Sequence, residues 1–146
     1  MYMNQKRIYE DQQSKITILE SELKMAVDTV DTLVQENADL NYFTLLGNDN
    51  AMTYFEQKGV EASDVEQYVR ESIYAYNAKV EGNVLIPYEA MNDGTMRINK
   101  LKFLNHRWIV ADFTDGEYWG EMILEYFIES DNTITFNNLG SVMYPN

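Results

Sequence analysis

The chain has one histidine, His106, and no cysteine, so imidazole chemistry has a single address and thiolate chemistry has none. An imidazole near neutral pH can take a proton from water or a hydroxyl, but a triad needs a nucleophile and an orienting acid beside it. No serine stands in a Gly-x-Ser-x-Gly elbow. The hydrolytic reading is therefore His106 with Asp112 or Glu121, and the same two acids are the carboxylate pair that could work on a sugar. Asp112, Asp115 and Glu117 bracket a turn and offer hard oxygen ligands, yet their spacing matches no EF-hand loop, and Asp-Gly at a turn has an ordinary backbone reason. With 24 Asp and Glu residues, carboxylate pairs also arise by chance. The residues single out no catalytic set, no cofactor and no metal site.

A second pattern points to binding. In the run from Glu117 to Glu129 the even positions, Tyr118, Gly120, Met122, Leu124, Tyr126 and Ile128, are apolar or neutral, and belong to a core face. The odd positions alternate Glu117, Trp119, Glu121, Ile123, Glu125, Phe127 and Glu129. A solvated face does not need those apolar residues, and a core face does not tolerate four glutamates. The expected binding surface comprises Trp119, Glu121, Tyr118, Asp112 and His106. The bland alternative pairs the glutamates across strands with Arg97, Lys100 or Lys102 and shields the apolar residues with the C-terminal tail.

The elements that must position these residues follow from periodicity. From Tyr9 to Leu40 there is no Gly or Pro, and Ile16, Leu19, Leu23, Ala26, Val30, Leu33, Asn37 and Leu40 alternate at spacings of three and four. That is an a/d heptad with Asn37 at an a position, where an amide fixes the register of a parallel two-stranded coil; from Ile16 to Leu40 it would run about 37 Å. A helix packed on its own domain is the alternative. Gly47-Asn48-Asp49-Asn50 breaks the pattern, dividing a coiled-coil stalk, residues 1–40, from a globular domain, residues 41–146.

Within that domain a first helix is expected after a cap at Asp49 or Asn50, stopping at Gly59. A second begins at the capping box Ser63-Asp64-Val65-Glu66 and runs towards Gly82, with Tyr68 and Tyr76 as a core-packing stripe. Val84 to Gly94 connects, with one helical turn at Tyr88–Met91. Then Met96–Leu104, Trp108–Phe113, Glu117–Ile128 and Thr133–Asn137 read as strands joined by short turns, one of them Thr114-Asp115-Gly116. The fold class is α+β: an N-terminal coiled-coil helix, then two helices on a four-stranded antiparallel meander. A sheet curled into a cone, with a pocket between sheet and helix, fits the same order.

Composition narrows the partners. A formal charge of -13 repels phosphate backbones, so nucleic acid is excluded as a partner and self-association as a parallel dimer is expected. No run of 18 apolar residues exists.

The segments GNDNAMTYFE, AYNAKVEGNVLIPYEAMNDGTMRINKLKFLNHRWIVADFTDGEYWGEMILEYF and ITFNNLGSVMYP resemble a family of small uncharacterised membrane-anchored coiled-coil proteins from Bacteroidota, some carrying the automatic label "hydrolase". The resemblance spans roughly Asp39 to Pro145, with the string INK, LNHRWI, ADF, DG and WGE as its specific part. It implies a transmembrane helix, a short coil and then this domain. It further implies placement in the cell envelope, with a membrane protein complex as partner, and transfers no catalytic residue. Met1-Tyr2-Met3 with Lys6-Arg7 reads as the trailing edge of such a span. The function expected is a non-enzymatic interaction or scaffold module, with a small hydrolase using His106 as the alternative.

Overall fold

The computed structural model describes residues 1–145 and divides into two compact units, Met1–Leu40 and Asn41–Asn146. The first is one helix, α1, Tyr2–Leu40, with no buried residue. Its threonines Thr17, Thr29 and Thr32 donate to carbonyls four residues back, so these hydroxyls are satisfied within the helix. Ile16, Leu19, Leu23, Val30, Leu33 and Leu40 are all exposed. Among the described residues no helix is long and apolar enough to cross a membrane.

The second unit is α+β. Helices α2, Asp49–Glu56, and α3, Ala62–Ala75, precede four strands: β1, Arg97–Phe103; β2, Trp108–Thr114; β3, Trp119–Ile128; and β4, Ile134–Met143. The sheet is an antiparallel meander in the order β1-β2-β3-β4. Asn48 caps α2 by accepting from the Ala51 N–H at 3.1 Å, one residue earlier than expected, which leaves Asp49 free in the first turn to face the helix dipole. Gly59, at φ +77°, turns the chain out of α2.

Three local expectations are corrected. The capping box at Ser63 is not used: α3 starts at Ala62, and Glu61 caps it without a side-chain bond. Ala62 is buried, and Glu66 reaches forward to Arg70 at 2.7 Å rather than back to the helix start. Core burial and a charge-assisted bond thus outweigh a neutral cap. Residues 88–91 form no helical turn, because Tyr88 stacks on Phe113 and the Met91 N–H donates to Asp115. The last strand extends to Met143 rather than Asn137, pairing along the whole of β3 with one extra residue, Leu139, between the Ile123 and Leu124 pairs.

The core gathers one face of the sheet against both helices. Ile109, Ala111 and Phe113 of β2 and Met122, Leu124 and Tyr126 of β3 pack with Phe55, Val65, Val69 and Ile73, at roughly 25 cal/mol for each Å² of apolar surface withdrawn from water. Leu45, in the segment read as a boundary, is fully buried, and its N–H donates to the Phe103 carbonyl. Gly120 is small for a reason: a Cβ there would lie 2.7 Å from the Phe113 ring. Asn83 is the one buried polar side chain among the described residues, donating to Ile73 O and Asn77 Oδ1 and accepting from the Leu85 N–H.

Candidate functional site

The two faces of β3 separate as its alternation requires. Gly120, Met122, Leu124 and Tyr126 are buried, whereas Trp119 is 45% and Ile123 40% exposed. On the open face Trp119 stacks on Tyr144, with centroids 4.3 Å apart, and the Tyr144 hydroxyl donates to Glu121 at 3.1 Å. That hydrogen bond to a carboxylate, followed by desolvation, raises the pKa of the phenol. The tail therefore covers one face of the Trp119 ring and leaves Trp108, Ile123 and Val142 open. Among the described residues neither Glu121 nor Glu125 forms a salt bridge.

Asp112 faces Glu121 across the ladder, but its carboxylate is already engaged. β1 carries an extra residue between Ile98 and Leu101, and Asp112 accepts from the Lys100 N–H at 2.6 Å and from the Asn99 amide at 3.3 Å. This side chain completes a bulge that would otherwise leave a backbone donor without a partner. Tyr118 lies in the hairpin loop rather than in β3. Asp115 shapes that loop by accepting from the Glu117, Tyr118 and Met91 N–H groups, and the bond from Tyr118 is foremost in holding its carboxyl below the usual range. Among the described residues no three His, Asp or Glu side chains gather as a metal site.

His106 stands elsewhere. Trp108 pairs with Glu125 and Asp112 with Glu121, so Asp112 lies four residues, about 13 Å, along β2 from the His106 end. The structure brings Trp119, Glu121 and Asp112 to one region of the open face, Tyr118 to its hairpin tip, and His106 to the opposite end. It does not bring either proposed acid to the imidazole. Burial first, then the cationic charges of Arg107 and Lys58, lower the pKa of His106 from the ordinary 6.5 and so disfavour the imidazolium.

At that end lies a groove of about 750 Å³ between α2, the start of α3 and the turns after β1 and β3, a size that suits a small organic ligand. Phe55, Val65 and Tyr126 form its floor. Tyr54 stands at one wall with the His106 ring 4.6 Å away. The Lys58 ammonium lies over the Tyr54 ring at 4.3 Å and donates to its hydroxyl, and the Arg107 guanidinium covers Phe127 at 4.3 Å. Tyr68, expected in the core, is 45% exposed and closes the other end by donating to the Asn132 carbonyl at 2.7 Å. Tyr126 is pushed well above the usual phenol range by burial, and its hydroxyl donates to the Asn105 carbonyl.

Sequence reasoning named His106 but missed this groove. Its walls come from segments far apart in the chain. The available signal was the rarity of cations, since Lys58 and Arg107 are two of only 11, with Tyr54 one helical turn before Lys58. No family model matches the chain, and no curated protein or solved structure matches it.

Proposed function

We propose that the protein is a non-enzymatic interaction module, held as a parallel dimer by α1 and offering a binding surface on the open face of each sheet. The observation that carries this is α1 itself: 39 residues with none buried and an apolar stripe at a/d spacing. A lone helix owes most of its stability to packing of its apolar face. Burying Ile16, Leu19, Leu23, Val30, Leu33 and Leu40 against a second copy would contribute about 1.5–3 kcal/mol for each fully covered side chain, with Asn37 selecting the two-stranded parallel register.

The surface on the globular unit is the one carrying Trp119, Glu121 and Ile123, where aromatic and apolar groups stand between carboxylates, a composition that suits a protein partner. The family resemblance extends the proposal to a module tethered in the cell envelope beside a membrane protein complex. The tether would be a segment other than the helices described, and membrane fractionation of the product of the native reading frame tests it.

Sedimentation equilibrium tests the dimer. At micromolar concentration the expected mass is twice that of the chain, and a monomer overturns the proposal. Asn37→Leu should give a tighter but mixed population with trimers or tetramers, because the amide that disfavours them is gone.

A further inference from the structure

Lys58 and Arg107 bring two cations together at one end of the groove in a chain of net charge -13. Among the described residues neither meets a carboxylate within 4 Å, although 24 are present; both instead lie over aromatic rings at the same end of the groove. A cation parked on a ring face keeps its N–H edge available to an anion. Between them and the far end, the floor of Phe55, Val65 and Tyr126 carries no charged side chain. At the far end stand Asp64 and Glu129, the latter accepting from Thr135. The groove therefore has one cationic end, an apolar middle and an acidic exit.

From this arrangement we infer that the groove binds an amphipathic monocarboxylate, its acid group held by Arg107 and Lys58 and its apolar body laid along the floor of Phe55, Val65 and Tyr126. A polyanion is disfavoured by Asp64, Glu129 and the net charge of -13. A neutral body of similar size would leave both cations without an anion and so lose the charge-assisted bonds. Arg107 offers a planar pair of donors to a carboxylate, and Lys58 a mobile point charge beside it.

His106 is the reporter. As the only histidine it gives a single imidazole signal in proton NMR, and it lines the same groove. The groups facing it are Tyr54 and Lys58 from α2 and the turn after it, Arg107 beside it, and Glu125 from β3. A bound carboxylate between Lys58 and Arg107 offsets the two cations that disfavour the imidazolium, so occupancy raises the midpoint of the His106 titration.

The experiment titrates the full chain with decanoate and with 3-phenylpropanoate, which separate a straight-chain from an aromatic body, and with decanol and decyltrimethylammonium as neutral and cationic controls. The expected result is a saturable shift of the His106 signal with at least one of the acids and an upward move of its midpoint. Decanol binds more weakly, and the cation leaves the midpoint where it was. Arg107→Gln and Lys58→Gln, each checked for native circular dichroism, should each weaken the acid roughly ten-fold or more. The inference is overturned if neither acid moves the signal, if decanol binds as tightly as decanoate, or if the folded variants bind the acid like the parent.

Discussion

At the scale of single residues, His106 shows how position changes the meaning of a side chain. Its type alone suggests a general base, but the charges that shift it are those of Arg107 and Lys58, and neither Asp112 nor Glu121 is brought to it. Because its pKa in the folded chain lies below the ordinary 6.5, the unfolded chain takes up a proton first as pH falls. Stability therefore decreases as pH drops from 6.5 to the folded value, and is constant in this respect outside that window. The melting temperature of the parent should fall through that window more steeply than that of His106→Gln. Parallel curves would show that the ring has the same affinity for protons in both states. Asp112 makes the same point in reverse: a carboxylate on an open face reads as chemistry, yet it is the hydrogen-bond partner of a bulge in the neighbouring strand β1. The pairing could not be read from the chain, because a bulge has no mark in residue types when it lies between an asparagine and a lysine.

At the scale of elements, periodicity was a good guide wherever one face alone is buried. β3 alternates because one side packs under the helices, and α1 was visible as an uninterrupted heptad without Gly or Pro. The helix starts were less legible. Ser63 begins a motif that local chemistry favours, but the burial of Ala62 moves the start of α3 upstream. The end of β4 was hidden by Asn137, Asn138 and Gly140, poor strand formers that the partner β3 nonetheless pairs. The link between α3 and the sheet was also invisible: Asn77, just after α3, donates to the Ile98 carbonyl and accepts from the Ile98 N–H, as a neighbouring strand would. Asn83 braces it from behind. Asn83→Ala should destabilise the chain by about 1–3 kcal/mol by leaving buried backbone groups without partners, measured by urea unfolding. A loss below a few tenths would mean that water replaces the amide fully.

At the scale of the whole molecule, the two units divide the work of the proposal. The heptad speaks for self-association and the α+β unit for binding, and each can be tested without the other. The globular fold class was readable because the order of elements, helices first and a short-turned meander afterwards, leaves few ways to cover one sheet face. The groove was not readable, since it is assembled from the ends of elements, where residue patterns are shortest.

One feature of the sheet bears on how the protein behaves at high concentration. β4 is an outer strand of ten residues, ITFNNLGSVM, with neither a charge nor a proline to blunt its edge. Its only interruption is the extra residue Leu139, which leaves straight runs of five and four residues on either side, shorter than the six or seven that stack into fibrils. Colloidal stability then rests on long-range repulsion from the charge of -13. That repulsion is screened as the Debye length falls from about 10 Å at 0.1 M salt to about 3 Å at 1 M. Light scattering should show reversible association that rises with salt and is abolished by a lysine in place of Asn138; clear solutions at 1 M salt would mean that the bulge protects the edge unaided.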